Sequence, residues 1–152
     1  MWRGTLESIY IAPDAEQAMQ AIDCVETIPG VGLAGDRYAL KRGTFFKPQP
    51  DFELTLIEAE ALEALEREYQ IKLAPSAARR NLVTRGVPLN HLVGKEFRIG
   101  EVRIRGLRLC EPCSHLERLV ERPVIQGLRH RGGLRAQILT AGTLHTGDPV
   151  SA

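Results

Sequence analysis

The sequence predicts a mainly β protein, a closed or nearly closed barrel with one clear helix near residues 58–70 and short peripheral helices. Three observations carry that reading. Short β-branched runs are punctuated by Gly86, Pro88, Gly94, Gly100 and Gly106, one segment has apolar residues at helical spacing, and the alternation of strands with helices that builds a layered α/β sheet is missing. GTLESIYIAP reads as an opening strand closed by Pro13. MQAIDCVETI is a second apolar run and leads into PGVGLAGDRY, whose three glycines call for unusual backbone angles or a close approach of the backbone to something else. FELTLIE is rich in β formers and runs directly into EAEALEALEREYQ. There Ile57, Ala61, Leu62, Leu65 and Tyr69 recur at helical spacing, with acids on the other face. In EVRIRGLRL, Val102 and Ile104 alternate with Arg103 and Arg105; after Gly106 the phase slips, and Leu107 and Leu109 alternate with Arg108. A phase change at a glycine predicts a β-bulge. SHLERLV reads as one short helix, and GGLRAQILTAGTLHTGDPV as a strand, a turn and a strand end. No internal repeat, low-complexity segment or linker divides the chain, so residues 1–152 are expected to form one domain.

Composition narrows the function. A chain of 152 residues with 43% hydrophobic and 26% charged side chains fits a globular protein large enough to bury one core without staples. No apolar run approaches the ~20 residues of a membrane helix, and MWRGTLESIYIAPD lacks the apolar core of a secretory signal. A cytoplasmic location with no membrane partner is expected, and the three cysteines are expected to stay reduced. Charge is uneven. Residues 1–78 carry 7 basic and 13 acidic side chains, whereas residues 79–135 carry 13 basic and 5 acidic, and 12 of those 13 are arginines. The planar guanidinium suits phosphate and carboxylate, so the second half is expected to meet an anionic ligand, although most of these arginines are expected simply to face water. Nucleic acid is not expected, because the whole chain carries a net charge of +1 and is 5% aromatic.

LRLCEPCSHLERL holds Cys110 and Cys113, separated by Glu111 and Pro112. A dithiol redox pair would sit at a helix start beside a βαβ unit. A closed zinc site would need two more ligands, and the remaining Cys24, His91, His115, His130 and His145 are each isolated in sequence. Two inert thiols in a packed core are the plainest reading. Against it, Pro112 favours an extended approach to Cys113, and a helix opening at Cys113-Ser114 would present an attack-ready thiolate. These residues by themselves leave all four open.

GVGLAGDRY, RRNLVTRGVPLNHLVGKEFRIGEVRI, LCEPC and GGLRAQILTAGTLHTGDPV, in that order, resemble the signature blocks of the MOSC domain, named for the C-terminal part of molybdenum cofactor sulfurases. The resemblance covers roughly residues 5–150. It implies a distorted β-barrel and a cysteine, here Cys113, that carries sulfane sulfur as a persulfide or ligates the molybdenum of the pyranopterin cofactor. Both roles need a thiolate, and a soft thiolate suits that metal. The cofactor's phosphate would be the anion that the arginines call for. Arg80 and Asn81 match the family's Arg-Asn pair, and Asp36 and Arg37 its GDR block. His130 and Arg131, between a leucine-arginine pair and two glycines, are candidates for the anion pocket. Cys110 is not a general family feature; it is a second persulfide carrier, a resolving thiol, or neither. His115 reads as part of a solvated helix face and Asp148 as the residue that fixes the last turn.

The function implied is sulfur transfer to the molybdenum cofactor, or ligation of molybdenum while a partner reduces N-hydroxylated compounds. The alternatives are a non-catalytic cofactor carrier or chaperone, and a zinc-stabilised structural module. Full sulfurases carry a pyridoxal-phosphate desulfurase domain, and other relatives an extra N-terminal barrel or a fused iron–sulfur domain. None of these is in the 152 residues, so no pyridoxal phosphate or iron–sulfur site is expected. A cysteine desulfurase or other sulfur donor, or a redox partner, is expected to act in trans, and a homodimer stays open.

Overall fold

The long strand β1 (Arg3–Ile11) is the seam on which the barrel closes. The computed structural model describes residues 1–14, 17–41, 49–111 and 124–152. After β1 come β2 (Gln20–Ile22), β3 (Cys24–Ile28), β4 (Gly32–Leu33), β5 (Leu54–Glu58), α1 (Ala59–Tyr69), β6 (Leu82–Arg85), β7 (Glu96–Ile99) and β8 (Val102–Leu109). The short α2 (Val124–Gly127), β9 (Leu134–Ile138), β10 (Gly142–His145) and β11 (Pro149–Ser151) complete the order. The C-terminal half of β1 pairs with β2. Its N-terminal half meets β11, and β6 runs along it from Thr5 to Ile9. The ring runs β1, β11, β7, β8, β9, β5, β6 and back to β1, a closed seven-stranded barrel. β5 and β6 run parallel, joined by α1, as a parallel pair requires a crossover. A separate three-stranded sheet, β10-β3-β4, stands beside the ring.

Alternation along the strands places the core. Leu6, Ile9, Leu54, Leu56, Leu82, Phe97, Ile99, Val102, Ile104 and Leu134 fill the barrel, one face of each strand. β5 has almost no polar face: Leu54 and Leu56 point inward, while Ile57 joins Val83 outside, against Leu62 and Leu65 of α1. α1 ends at Gln70, whose positive φ of 56° lets its N–H reach the Glu66 carbonyl. Tyr69, expected on the apolar face, is the last helical residue and stays exposed.

The predicted bulge is present. The β8–β9 register shifts between Gly106 and Arg108, and Gly106 is there for space, since a Cβ on it would stand 2.2 Å from the Leu92 carbonyl oxygen. That carbonyl approaches because the 92–95 turn exchanges bonds with Gly106, Gly94 N–H to its carbonyl and its N–H to the Lys95 carbonyl. The short helix expected over SHLERLV falls at 114–120, outside the described residues. Among the described residues no helix is long and apolar enough to cross a membrane.

Candidate functional site

The Asp36-Arg37 pair lies inside the protein, where the 33–41 turns meet the end of β1. The Ala12 N–H donates to Asp36 Oδ1 at 3.1 Å, and the Arg37 N–H returns to the Ala12 carbonyl at 2.7 Å. Asp36 is fully buried and Arg37 nearly so; their side chains pair at 3.2 Å. The Arg37 guanidinium also donates to the Arg79 carbonyl and lies over the Tyr38 ring, 4.6 Å from its centroid. A buried charge pair holds when its remaining donors and acceptors are met, and here they bind three segments together.

Asn81 ties three strands. Its Oδ1 accepts from the Thr55 N–H at 3.1 Å and the Thr55 hydroxyl at 3.2 Å, its own N–H donates to that hydroxyl oxygen, and Nδ2 donates to the Tyr10 carbonyl at 3.1 Å. It is wholly buried. Arg80, 8% exposed, turns the other way. Nε donates to the Gly132 carbonyl at 2.9 Å and Nη2 to the Cys110 carbonyl at 3.0 Å, with a longer bond to the Ala78 carbonyl. Arg80 and Asn81 thus reach bonding partners in separate places.

Cys110 follows the last residue of β8 and is 4% exposed. Its N–H donates to the Gly133 carbonyl at 2.7 Å. Gly133 has to be glycine: φ is +116°, and a Cβ would sit 2.0 Å from the Leu56 carbonyl oxygen. Next along the chain, the Glu111 carboxylate accepts the His130 N–H at 2.7 Å and faces its ring Nδ1 at 3.0 Å. His130 has a positive φ of 63° and an exposed ring, and its carbonyl accepts from Asn90 Nδ2 at 2.6 Å. Arg80 and Glu111 therefore staple the start of the CEPC segment to the 130–133 loop. Cys113 itself, with Pro112, Ser114 and His115, lies outside the described residues.

Arg131 points elsewhere. It grips Glu68 of α1 through two N–H groups at 3.1 and 3.3 Å and donates Nε to the Gly127 carbonyl. Much of the arginine bias is matched in the same manner: Arg85 to Glu7 and Glu63, Arg103 and Arg105 to Glu96, Arg108 to Asp51. Each of Glu63, Glu68 and Glu96 titrates below its ordinary value, chiefly through the guanidinium bonded to it. Arg135 differs. It is half-buried on β9, has no carboxylate partner in ion-pair range among the described residues, lies 5.0 Å over the Phe52 ring and faces the Tyr38 hydroxyl. Burial works against its charge, and its neighbours Cys110, Tyr38 and Asp51 together outweigh that effect. Near the 89–92 turn, Glu58 is pushed above the ordinary 4.5, first by burial and then by Glu60. Among the described residues no three His, Cys, Asp or Glu side chains come together as metal ligands.

Sequence reasoning found the blocks but missed their partners. Nothing local marks Thr55, Tyr10 or Asn90 as bonded to a distant motif. Glu111 had a signal, since an acid between two cysteines beside a basic loop has an obvious cation to meet. Asp148 does fix the last turn, accepting the His145 N–H at 2.8 Å.

A mixed seven-stranded barrel with one main helix, and a cysteine segment tied to its rim, defines the class of protein. The chain belongs to the MOSC domain family: that domain's pattern matches residues 44–151, taking in Arg80-Asn81 and the CEPC segment and beginning beyond Asp36-Arg37. The family is associated with molybdenum cofactor binding and sulfurase-type function. No curated protein matches the chain. Among solved structures, YuaD from Bacillus subtilis is 17% identical with a TM-score of 0.81, over 99% of this chain and 97% of that one. YiiM from Geobacillus stearothermophilus is 15% identical with a TM-score of 0.74, over 97% and 74%. YiiM from Escherichia coli is 20% identical with a TM-score of 0.68, over 99% and 69%. At these identities the likeness is one of fold.

Proposed function

We propose that this MOSC domain binds the molybdenum cofactor and that Cys113 is its reactive thiolate. The observation that carries the reading is the family match over residues 44–151, which contains Cys113. The stapling of Cys110 and Glu111 by Arg80 and His130 supports it, because it fixes the two residues from which the Pro112-Cys113 segment continues. When bound, the cofactor would supply a molybdenum centre that accepts sulfur or a thiolate.

The described residues fit a supporting cradle better than a set of direct phosphate ligands. Asp36, Arg37, Arg80, Asn81 and Arg131 are already bonded to protein groups, while the His130 ring, with its Nδ1 on Glu111, is largely exposed beside the start of the CEPC segment. We assign His130 to contact the anion and Arg80-Asn81 to shape the backbone around it. In the transfer role, the Cys113 thiolate attacks the terminal sulfur of a donor's persulfide. The new S–S bond forms as the donor's S–S bond breaks, and the donor leaves as its thiolate. The donor, a cysteine desulfurase or similar protein, acts in trans, as would a redox partner for the reductase role.

Exposure to a persulfide donor followed by intact-protein mass spectrometry tests the assignment. Added mass of one sulfur on the wild type, absent from Cys113→Ala and kept in Cys110→Ala, is the expected result. Unchanged loading of Cys113→Ala overturns it. Cofactor binding that survives Cys113→Ser undiminished would favour the carrier reading.

A further inference from the structure

A cavity of about 290 Å³ lies outside the barrel, between the β3–β4 turn, the 38–41 turn and the outer face of β9. Its walls include Tyr38, Phe52, Glu53 and Gln137, with Val31 and Lys41 among the other lining residues. We propose that this cavity is a binding site for a small arylalkylamine, its ring against Phe52 and Tyr38 and its ammonium N–H donors on the Glu53 carboxylate.

Four observations point to that ligand class. First, Glu53 is 3% exposed yet lines the cavity. Its Oε1 takes the Ile138 N–H at 3.0 Å, and a carboxylate can accept about four hydrogen bonds. Burial raises its pKa, and the backbone N–H groups of Ile138 and Gly30 do not fully offset that. Two backbone donors are fewer than this carboxylate can accept, and among the described residues its remaining acceptor capacity faces the cavity. Second, Phe52 and Tyr38 meet edge to face at 6.4 Å and 70°. Arg135 lies over the Phe52 ring and Arg37 over the Tyr38 ring, which fixes two aromatic walls, and a further ring packs well against such walls. Third, Val31 in the cavity wall is an exposed large hydrophobic residue, and Ile28 and Leu40, also exposed, are close to lining residues along the chain, apolar surface that an aromatic body would partly cover. Fourth, the volume is at the low end for ligand pockets, about 300–1,000 Å³, which suits one or two fused rings. A carboxylate seated against Glu53 would meet like charge, and would have to turn to Lys41 instead. The cavity's lining residues are not among those named for the Cys113 assignment, and ligand binding here is read without cofactor or persulfide, so each stands or falls separately.

Titration with benzylamine, benzyl alcohol and benzoate at neutral pH, followed by amide chemical shifts, tests the proposal. Benzylamine should move the Gly30, Gln137 and Ile138 signals and bind about tenfold more tightly than benzoate, a factor equivalent to about 1.4 kcal/mol. Ala39→Trp, which fills the cavity from its wall, should abolish those shifts. Glu53→Gln should remove the preference for the amine over the alcohol. Benzoate binding as tightly as benzylamine to the wild type, shifts that survive Ala39→Trp, or no shift with any probe would each overturn it. The charge comparison needs only the wild type, so a variant that fails to fold does not remove the test.

Discussion

Arginine performs two different jobs in the interior and on the surface of this protein. Arg37 and Arg80 lie inside the protein, and their N–H groups meet a carboxylate and backbone carbonyls that come together from distant segments. Arg85, Arg103, Arg105 and Arg108 stand on the surface, each beside a carboxylate with which it shares solvent. One residue type thus serves as a scaffold bolt in one place and as a solubilising partner in the other. What separates them is burial: inside, an unmet charge or N–H has no water to turn to, whereas at the surface an ion pair merely replaces water contacts. A count of arginines per half cannot distinguish these cases.

The sharpest way to break the contrast is Asp36→Ala. It strands the Arg37 charge, and removing one partner of a buried pair costs about 3–5 kcal/mol; a thermal midpoint close to wild type would show that Arg37 finds water. Asn81→Ala comes next. It leaves the Thr55 N–H and the Tyr10 carbonyl without their partner, and an unsatisfied buried group costs about 1–3 kcal/mol, measurable by urea unfolding. Glu58→Gln tests the intermediate case. Burial raises the folded pKa of Glu58 above the ordinary 4.5, so the wild type loses stability as pH climbs from that value through the folded pKa. The variant should match wild type under acid conditions and exceed it at neutral pH; the opposite order would count against the burial argument. Glu96→Gln should have the smallest effect. Glu96 titrates below 4.5 because Arg103 and Arg105 bond to it, so its contribution is present above that value and fades as pH falls. It is exposed, and raising salt should erase the difference from wild type. A large, salt-independent loss would mean the surface pairs are structural after all.

The candidate site was legible in part. The Gly106 phase slip was readable as a bulge, because strand alternation has period two and any insertion shows in sequence. The ordered blocks pointed to the family. Their roles were harder to read. Asn81, expected beside a cofactor, has its side chain bonded to Thr55 and Tyr10, and Arg131, expected in an anion pocket, is bonded to Glu68 of α1. Each partner lies tens of residues away, and no local pattern encodes such a pairing. Arg135 shows the reverse. Nothing beside it in the sequence sets it apart from the other arginines, and it proves to be half-buried near Cys110 with an aromatic ring beneath it.

The sequence by itself determined the strand pattern, the α1 helix, the bulge and the family, because periodicity, glycine placement and block order are properties of neighbours along the chain. Tertiary structure alone decided which charges are buried, which carbonyls Arg80 holds, and that Glu53 opens onto a cavity. Those outcomes depend on distances between segments that meet only when the barrel closes, and on the loss of water that closure brings.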